Sequence, residues 1–188
     1  MALREEQIQR YGRQILLREV GGKGQEQLLH FPVRVEGRSA AVDVAVSVLA
    51  ASGTPLVCVA PPADGFFAGA ALEAFNPDAR AEEPARASLA PAGFGGELLP
   101  VALLVGGQGV AFAGGTTCRD CLDATARSLE GPSNPAEHVL LGSLAALILQ
   151  RLALGFTPEG QGPSAFRLQA PALAAAPPTR CPAHTSGN

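Results

Sequence analysis

Apolar positions recur with a helical period through the first thirty residues. Ile8, Tyr11, Ile15, Leu16, Leu28 and Leu29 stand among Arg, Glu and Gln, with breaks at Gly12 and at Gly21-Gly22. That spacing predicts two short amphipathic helices between Leu3 and His30, lying on a larger body. After Pro32 the pattern changes. Val33 to Glu36 reads as a strand ended by Gly37, and Ser39 can cap a helix that runs through Ala51 and stops at Gly53. Leu56 to Ala60 is a short, wholly apolar run, which predicts a buried strand. Strand, helix and strand within about thirty residues imply a parallel βαβ unit with a right-handed crossover.

Farther on, Ala63 to Phe75 reads as a helix and Asn76-Pro77 as a turn, while Ala79 to Leu98 lacks a clear period and predicts one weak strand followed by loop. Val101 to Val105 and Val110 to Ala113 read as strands joined by a Gly-rich turn. Asp120 to Leu129 and Glu137 to Leu154 read as helices, the second apolar around most of its circumference and therefore central or part of an interface. A strand at Ala165 to Gln169 is followed by an Ala/Pro-rich connector. The expectation is one α/β domain, a shortened Rossmann-like sheet flanked by helices. Its parts are an N-terminal helical segment (1–31), a core resembling a nucleotide-binding unit (32–117) and a C-terminal part closed by a tail (118–188).

A chain of 188 residues can bury about 70% of its unfolded surface as one domain, so neither a metal nor a disulfide is needed merely to form a core. The net charge of −3 is spread evenly, with Arg80 and Arg86 offset by Glu82 and Glu83; no basic stripe exists for nucleic acid. The charged N-terminus and the absence of an apolar run of about 18 residues predict a cytoplasmic protein that does not enter a membrane.

The four cysteines change the picture further. Cys118-x-x-Cys121 and Cys181-x-x-His184 are two half-sites about sixty residues apart. Together they supply four soft or borderline ligands, the number and kind that tetrahedral zinc takes. With all four positions filled by protein, the zinc is expected to be structural, fixing the tail to the domain. The competing readings are two unrelated clusters, or a redox Cys-x-x-Cys at 118 to 121. Cys58, inside an apolar run, reads as a small buried hydrophobe, and His30 and His138 have no partner at ligand spacing.

Several stretches resemble one family. Arg10-Tyr11-Gly12-Arg13-Gln14-Ile15-Leu16-Leu17, then Gly21, Gly24-Gln25 and Leu28-Leu29, resemble the N-terminus of the ThiF/MoeB/HesA family, related to the ubiquitin-activating enzymes. Gly37 to Gly53 resembles its nucleotide-binding strand-turn-helix. Phe75-Asn76-Pro77 resembles its Leu-Asn-Pro, Gly142-Ser143-Leu144-Ala145-Ala146 its long C-terminal helix, and Cys181-Pro182-Ala183-His184 its closing Cys-Pro-x-Cys. The resemblance implies adenylation of the C-terminal glycine of a small ubiquitin-like or sulfur-carrier protein with ATP and magnesium. It also implies a dimer, in which Arg13 reaches across to ATP in the neighbouring subunit.

The departures point the other way. The family's Gly-x-Gly-Gly-Leu-Gly turn lets backbone amides approach phosphates at a helix N-terminus. Here it reads Gly37-Arg38-Ser39-Ala40-Ala41-Val42, with only the first glycine kept. Ala60-Pro61-Pro62 stands where an acidic residue would hold the ribose. No Asp or Asn occurs from Ala79 to Arg119 to hold magnesium, which needs carboxylate oxygens. The expectation is a pseudoenzyme that binds neither ATP nor magnesium. It would act as a binding or dimerisation subunit, either as a homodimer or beside an intact ThiF/MoeB-like protein, with a ubiquitin-like or sulfur-carrier protein as a further partner. The alternatives are an active adenylyltransferase using Arg38 for phosphate and Glu82 or Glu83 for magnesium, and a thiol/zinc redox-responsive protein working through Cys118 and Cys121.

Overall fold

The computed structural model describes residues 2–58, 69–81, 84–114, 118–156, 163–169 and 172–185. Helices α1 (Glu5–Ile15) and α2 (Gly21–Leu29) precede strand β1 (Val33–Val35), helix α3 (Ala40–Ala51) and strand β2 (Leu56–Cys58). Helix α4 (Gly69–Phe75) and a 3-10 turn (Pro77–Ala79) lead to β3 (Ala87–Pro91), β4 (Ala102–Val105) and β5 (Gly109–Ala113). Helices α5 (Arg119–Arg127) and α6 (Pro135–Ala153), strands β6 (Ser164–Gln169) and β7 (Ala172–Ala176), and the single turn α7 (Pro182–Thr185) complete the described chain.

The strands form one sheet in the order β2-β1-β3-β4-β5-β6-β7. The first four are parallel and the rest antiparallel. Because each strand alternates its side chains, the sheet builds two cores. Val33, Val35, Leu89, Leu103, Val105, Val110 and Phe112 face α3 and α6. Ala90, Ala102, Leu104, Ala111, Ala113 and Ala165 face α5, the small residues letting that helix sit close.

Local chemistry explains the helix ends. Ser39 Oγ accepts a hydrogen bond from Val42 N at 3.2 Å, which starts α3. Asn134 and Glu137 form a reciprocal capping box around Pro135 at the start of α6. Gly142 lets α6 lie against the α3 backbone, since a Cβ there would come within 2.7 Å of Val44 Cβ. Leu141 and Leu149 are fully buried in the same seam, each contributing roughly 1.5–3 kcal/mol.

Three expectations need correction. Gly12 does not interrupt the first helix: α1 runs through it and ends only after Ile15. The single strand expected between Ala79 and Leu98 is present as β3, followed by loop, and needs no correction; it is buried between β1 and β4. The Ala/Pro-rich connector contains β7, drawn into strand form by pairing with β6 although alanine has little strand preference. Last, α6 is long and apolar enough to cross a membrane by length and composition, with mean hydropathy 1.3. Here its Leu141, Ala145 and Leu149 pack on α3 and the sheet, while Val139, Leu140 and Leu147 remain exposed. Of the strand expected at Leu56 to Ala60, residues 59 and 60 lie outside the described residues, as does most of the first half of the helix expected from Ala63 to Phe75.

Candidate metal centre and switch-point turn

The two cysteine half-sites come together at the edge of the α5 layer. Cys118 caps the N-terminus of α5, Cys121 lies one turn inside it, and Cys181 and His184 flank the start of α7. Cys118 Sγ is 3.8 Å from Cys181 Sγ, and His184 Nδ1 is 3.3 Å from both Cys121 Sγ and Cys181 Sγ. All four ligand atoms lie within 4.8 Å of one another. A tetrahedron with Zn–S bonds of about 2.3 Å has sulfur-to-sulfur edges of about 3.8 Å. The Cys118–Cys181 separation therefore has the length of a ligand edge and is far too long for a disulfide. The residues fit a tetrahedral metal ion of the zinc type, and zinc would be held by these four side chains with no open position.

The surroundings orient the ligands. The Cys121 backbone N–H lowers the Cys118 thiol from its ordinary value, as expected at a helix N-terminus. Burial raises the Cys181 thiol, aided by the hydrogen bonds it donates to Cys121 and Cys118. Thr125 ties the approaching tail to α5: its Oγ1 donates to the Cys121 and Thr179 carbonyls and accepts from Thr179 N at 2.9 Å. Cys58, by contrast, is half-buried on the edge strand β2, and burial raises its thiol.

At the other functional feature, the connections of β1 and β3 leave in opposite directions along the sheet. The crevice outside the carboxyl ends of such strands is where open α/β sheets bind ligands. Here it holds the turn Gly37 to Val42. Gly37 has φ +67°, and a Cβ on it would meet Pro91 Cδ at 3.1 Å and Phe94 Cδ2 at 3.5 Å. The Val42 amide is already occupied by Ser39 Oγ. Glu36, directly before the turn, is buried and forms an ion pair with Arg34. Arg38 pairs with Asp43 at 3.5 Å. Glu82 and Glu83, and the Ala60-Pro61-Pro62 segment, lie outside the described residues.

Arg10 and Tyr11 converge on Asp78, a residue that sequence reasoning missed. The Asp78 carboxylate accepts from Arg4 at 2.8 Å, Gln7 at 3.0 Å and Tyr11 Oη at 2.9 Å, and pairs with Arg10. Asn76 Nδ2 donates to Tyr11 Oη at 2.9 Å and to the Ala50 carbonyl at 2.7 Å. Burial would raise the Asp78 carboxyl, but the hydrogen bonds from Gln7 and Tyr11 and the Arg10 charge hold it below its usual range. Burial pushes the Tyr11 phenol up to about 12. Arg13 lies elsewhere, exposed on the last turn of α1, with no hydrogen bond or ion pair among the described residues. His30 Nδ1 contacts the Glu26 carbonyl and His138 Nε2 the Ser133 hydroxyl, both away from the cluster.

Compared with known proteins, the chain matches no family model, and no curated protein matches it in sequence. Solved structures do resemble it. PaaA superposes with a TM-score of 0.60 at 12% identity, over 96% of this chain and 76% of that one. E. coli MccB with MccA-N7isoASN gives 0.60 at 13%, over 92% of this chain and 73% of MccB. E. coli MccB crystallised with succinimide gives 0.58 at 13%, over 92% and 72%. At such identities the likeness reports architecture alone, and the architecture of this chain is the α/β fold of PaaA and MccB.

Proposed function

We propose that the chain is a non-catalytic version of the ThiF/MoeB-like adenylyltransferase fold, a pseudoenzyme that works as a binding or dimerisation subunit. The observation that carries the proposal is the turn at Gly37, which the chain fills with its own groups. Ser39 takes a helix N-terminal amide that a phosphate would need, and Pro91 and Phe94 lie over Gly37. The metal centre, in this reading, holds zinc and is structural, since protein atoms fill all four positions.

A groove of about 720 Å³ supports the binding role. It lies between the α1–α2 turn, α3 and α6, and is lined by Leu17, Val20, Val48, Leu147, Leu154 and Phe156. Leu17, Leu147 and Phe156 are about half exposed there, and we assign this face to a protein partner, a second copy or an intact ThiF/MoeB-like chain.

Titration calorimetry with Mg-ATP tests the first half. No binding is expected at nucleotide up to about 1 mM, and a dissociation constant below that, equivalent to about 4 kcal/mol, refutes the pseudoenzyme reading. Sedimentation of the purified chain, alone and with an intact ThiF/MoeB-like protein from its host, tests the second: a strict monomer in both samples removes the dimerisation role.

A further inference from the structure

The first residue after the leading metal ligand connects the metal centre to the switch-point turn. Arg119 stands in the first turn of α5, between Cys118 and Cys121, and its Nε donates to Asp123 at 2.8 Å, which fixes the guanidinium on the helix. The other end of the fork reaches across to the loop after β3, donating to the Phe94 carbonyl at 3.3 Å and the Gly96 carbonyl at 3.1 Å. Between those carbonyls the loop folds around the Phe94 ring so closely that Gly96 has no room for a Cβ. The ring itself packs against the α5-side core and lies over Gly37. One continuous chain of contacts thus runs from the four ligands through Arg119 and the 94–96 backbone to the turn at the head of α3.

We propose that the metal centre latches Phe94 as a plug over the switch-point crevice. The inference rests on the reading that the cluster binds metal. With the ion bound, Cys118 and Cys121 are tied to Cys181 and His184. The first turn of α5 is then fixed, and Arg119 holds the 94–96 carbonyls so that the ring stays seated. With the ion removed, the first turn of α5 loses its tie to Cys181 and His184, and Arg119 keeps only its Asp123 pair and the packing of Leu122 to position it. The loop then releases Phe94, and the crevice at the carboxyl ends of β1 and β3 opens to solvent. Arg119 is a positioning residue in this device: it touches neither the ion nor any ligand of the crevice, and a planar, always-charged fork is the group that can serve two carbonyls and a carboxylate at once.

Amide hydrogen exchange on the full chain reads the plug directly, through the N–H groups of residues 37–42 and 92–96, with β4 and β5 as an internal reference. Adding chelator should speed exchange in both segments by about tenfold or more while 102–113 stays protected, and restoring zinc should reverse it. Arg119→Ala should give the same local opening with one metal ion per chain still present by elemental analysis, and Arg119→Lys should fall between. A metal-loaded Arg119→Ala chain that exchanges like wild type at 37–42 overturns the plug. So does a chelated chain in which 102–113 loses protection as fast as 37–42, since the ion would then support the whole fold equally. A purified wild-type chain holding no metal defeats the underlying reading of the cluster, and the latch with it.

Discussion

The N-terminal helix and the C-terminal tail are both fastened to the α/β body, by opposite means. Helix α1 is held by its own side chains: Tyr11 is 1% exposed, and Arg4, Gln7, Arg10 and Tyr11 all close on Asp78. The tail buries far less. Cys181 is 2% exposed, but residues 177–180 and 182–184 are exposed, and Thr179 supplies its hydrogen bonds to α5. A segment with so little apolar burial does not offset the entropy of ordering it, about 1–2 kcal/mol per residue for the backbone alone. The N-terminal attachment is therefore intrinsic to the chain, whereas the C-terminal one is expected to need the ion that its four ligands fit.

The largest expected effect follows from that difference. Cys118→Ala, or a strong chelator, should free the tail to proteolysis after Arg180 and lower the melting temperature, while α1 stays attached. Free metal at a thousand times its dissociation constant stabilises a native state by about 4 kcal/mol, which sets the scale of the loss. Limited proteolysis with mass analysis and a melting curve measure both. Full stability in chelator would remove the distinction between the two ends.

Asn76→Ala attacks the other end. It leaves the buried Tyr11 hydroxyl without its donor and takes one of two donors from the buried Ala50 carbonyl, which keeps the Gly53 N–H, at a cost of about 1–3 kcal/mol. Metal content should not change. Denaturant unfolding gives the first quantity and elemental analysis the second; a variant that loses metal would show that the two ends are coupled.

The same network makes the N-terminal attachment sensitive to pH at both extremes. Asp78 titrates below its ordinary value in the folded chain, so its contribution is present above the unfolded carboxyl value of about 4 and disappears as pH falls through the lower folded value. Tyr11 titrates at about 12 in the folded chain. Its contribution is complete below the unfolded value of about 10 and is lost as pH rises from there through about 12. Asp78→Asn should flatten the acid limb and Tyr11→Phe the alkaline limb of a stability profile. Identical profiles for wild type and Tyr11→Phe would show that the phenol carries no such linkage.

How much of this was legible depended on whether the signal was local. The C-x2 spacings pointed to the metal cluster because a two-residue spacer already brings paired ligands to one face. Ser39, Gly37 and Gly53 marked the ends of α3 by local backbone chemistry. By contrast β3, Ala-Ser-Leu-Ala-Pro, has no strand-forming run, since its residues are small enough for α5 to pack on one face and Ser88 turns inward to accept from Leu99 N. β7 is alanine-rich and exists only through pairing. Asp78 escaped notice for the same reason: its four donors lie 67 to 74 residues away, and no local pattern announces a carboxylate shared at that distance.

The smallest effect on the chain itself is expected at Arg13, and it is informative because Arg10 lies only three residues away. The two arginines belong to one Arg-Tyr-x-Arg motif, yet Arg10 is committed to Asp78 and Arg13 is exposed with no partner among the described residues. A cation in the last turn of α1 interacts favourably with the helix dipole, worth about 0.3–1 kcal/mol at most on an exposed surface. Arg13→Ala should therefore leave stability nearly unchanged and metal content intact, whereas Arg10→Ala should loosen α1. If Arg13 acts across a dimer on an intact partner's nucleotide, the same variant should cut that partner's adenylation rate, on the scale of about 10³-fold seen for arginines supplied in trans. A partner turning over at the wild-type rate would leave Arg13 as a solvated helix end and keep the whole function of the motif in Arg10 and Tyr11, which hold α1 in place.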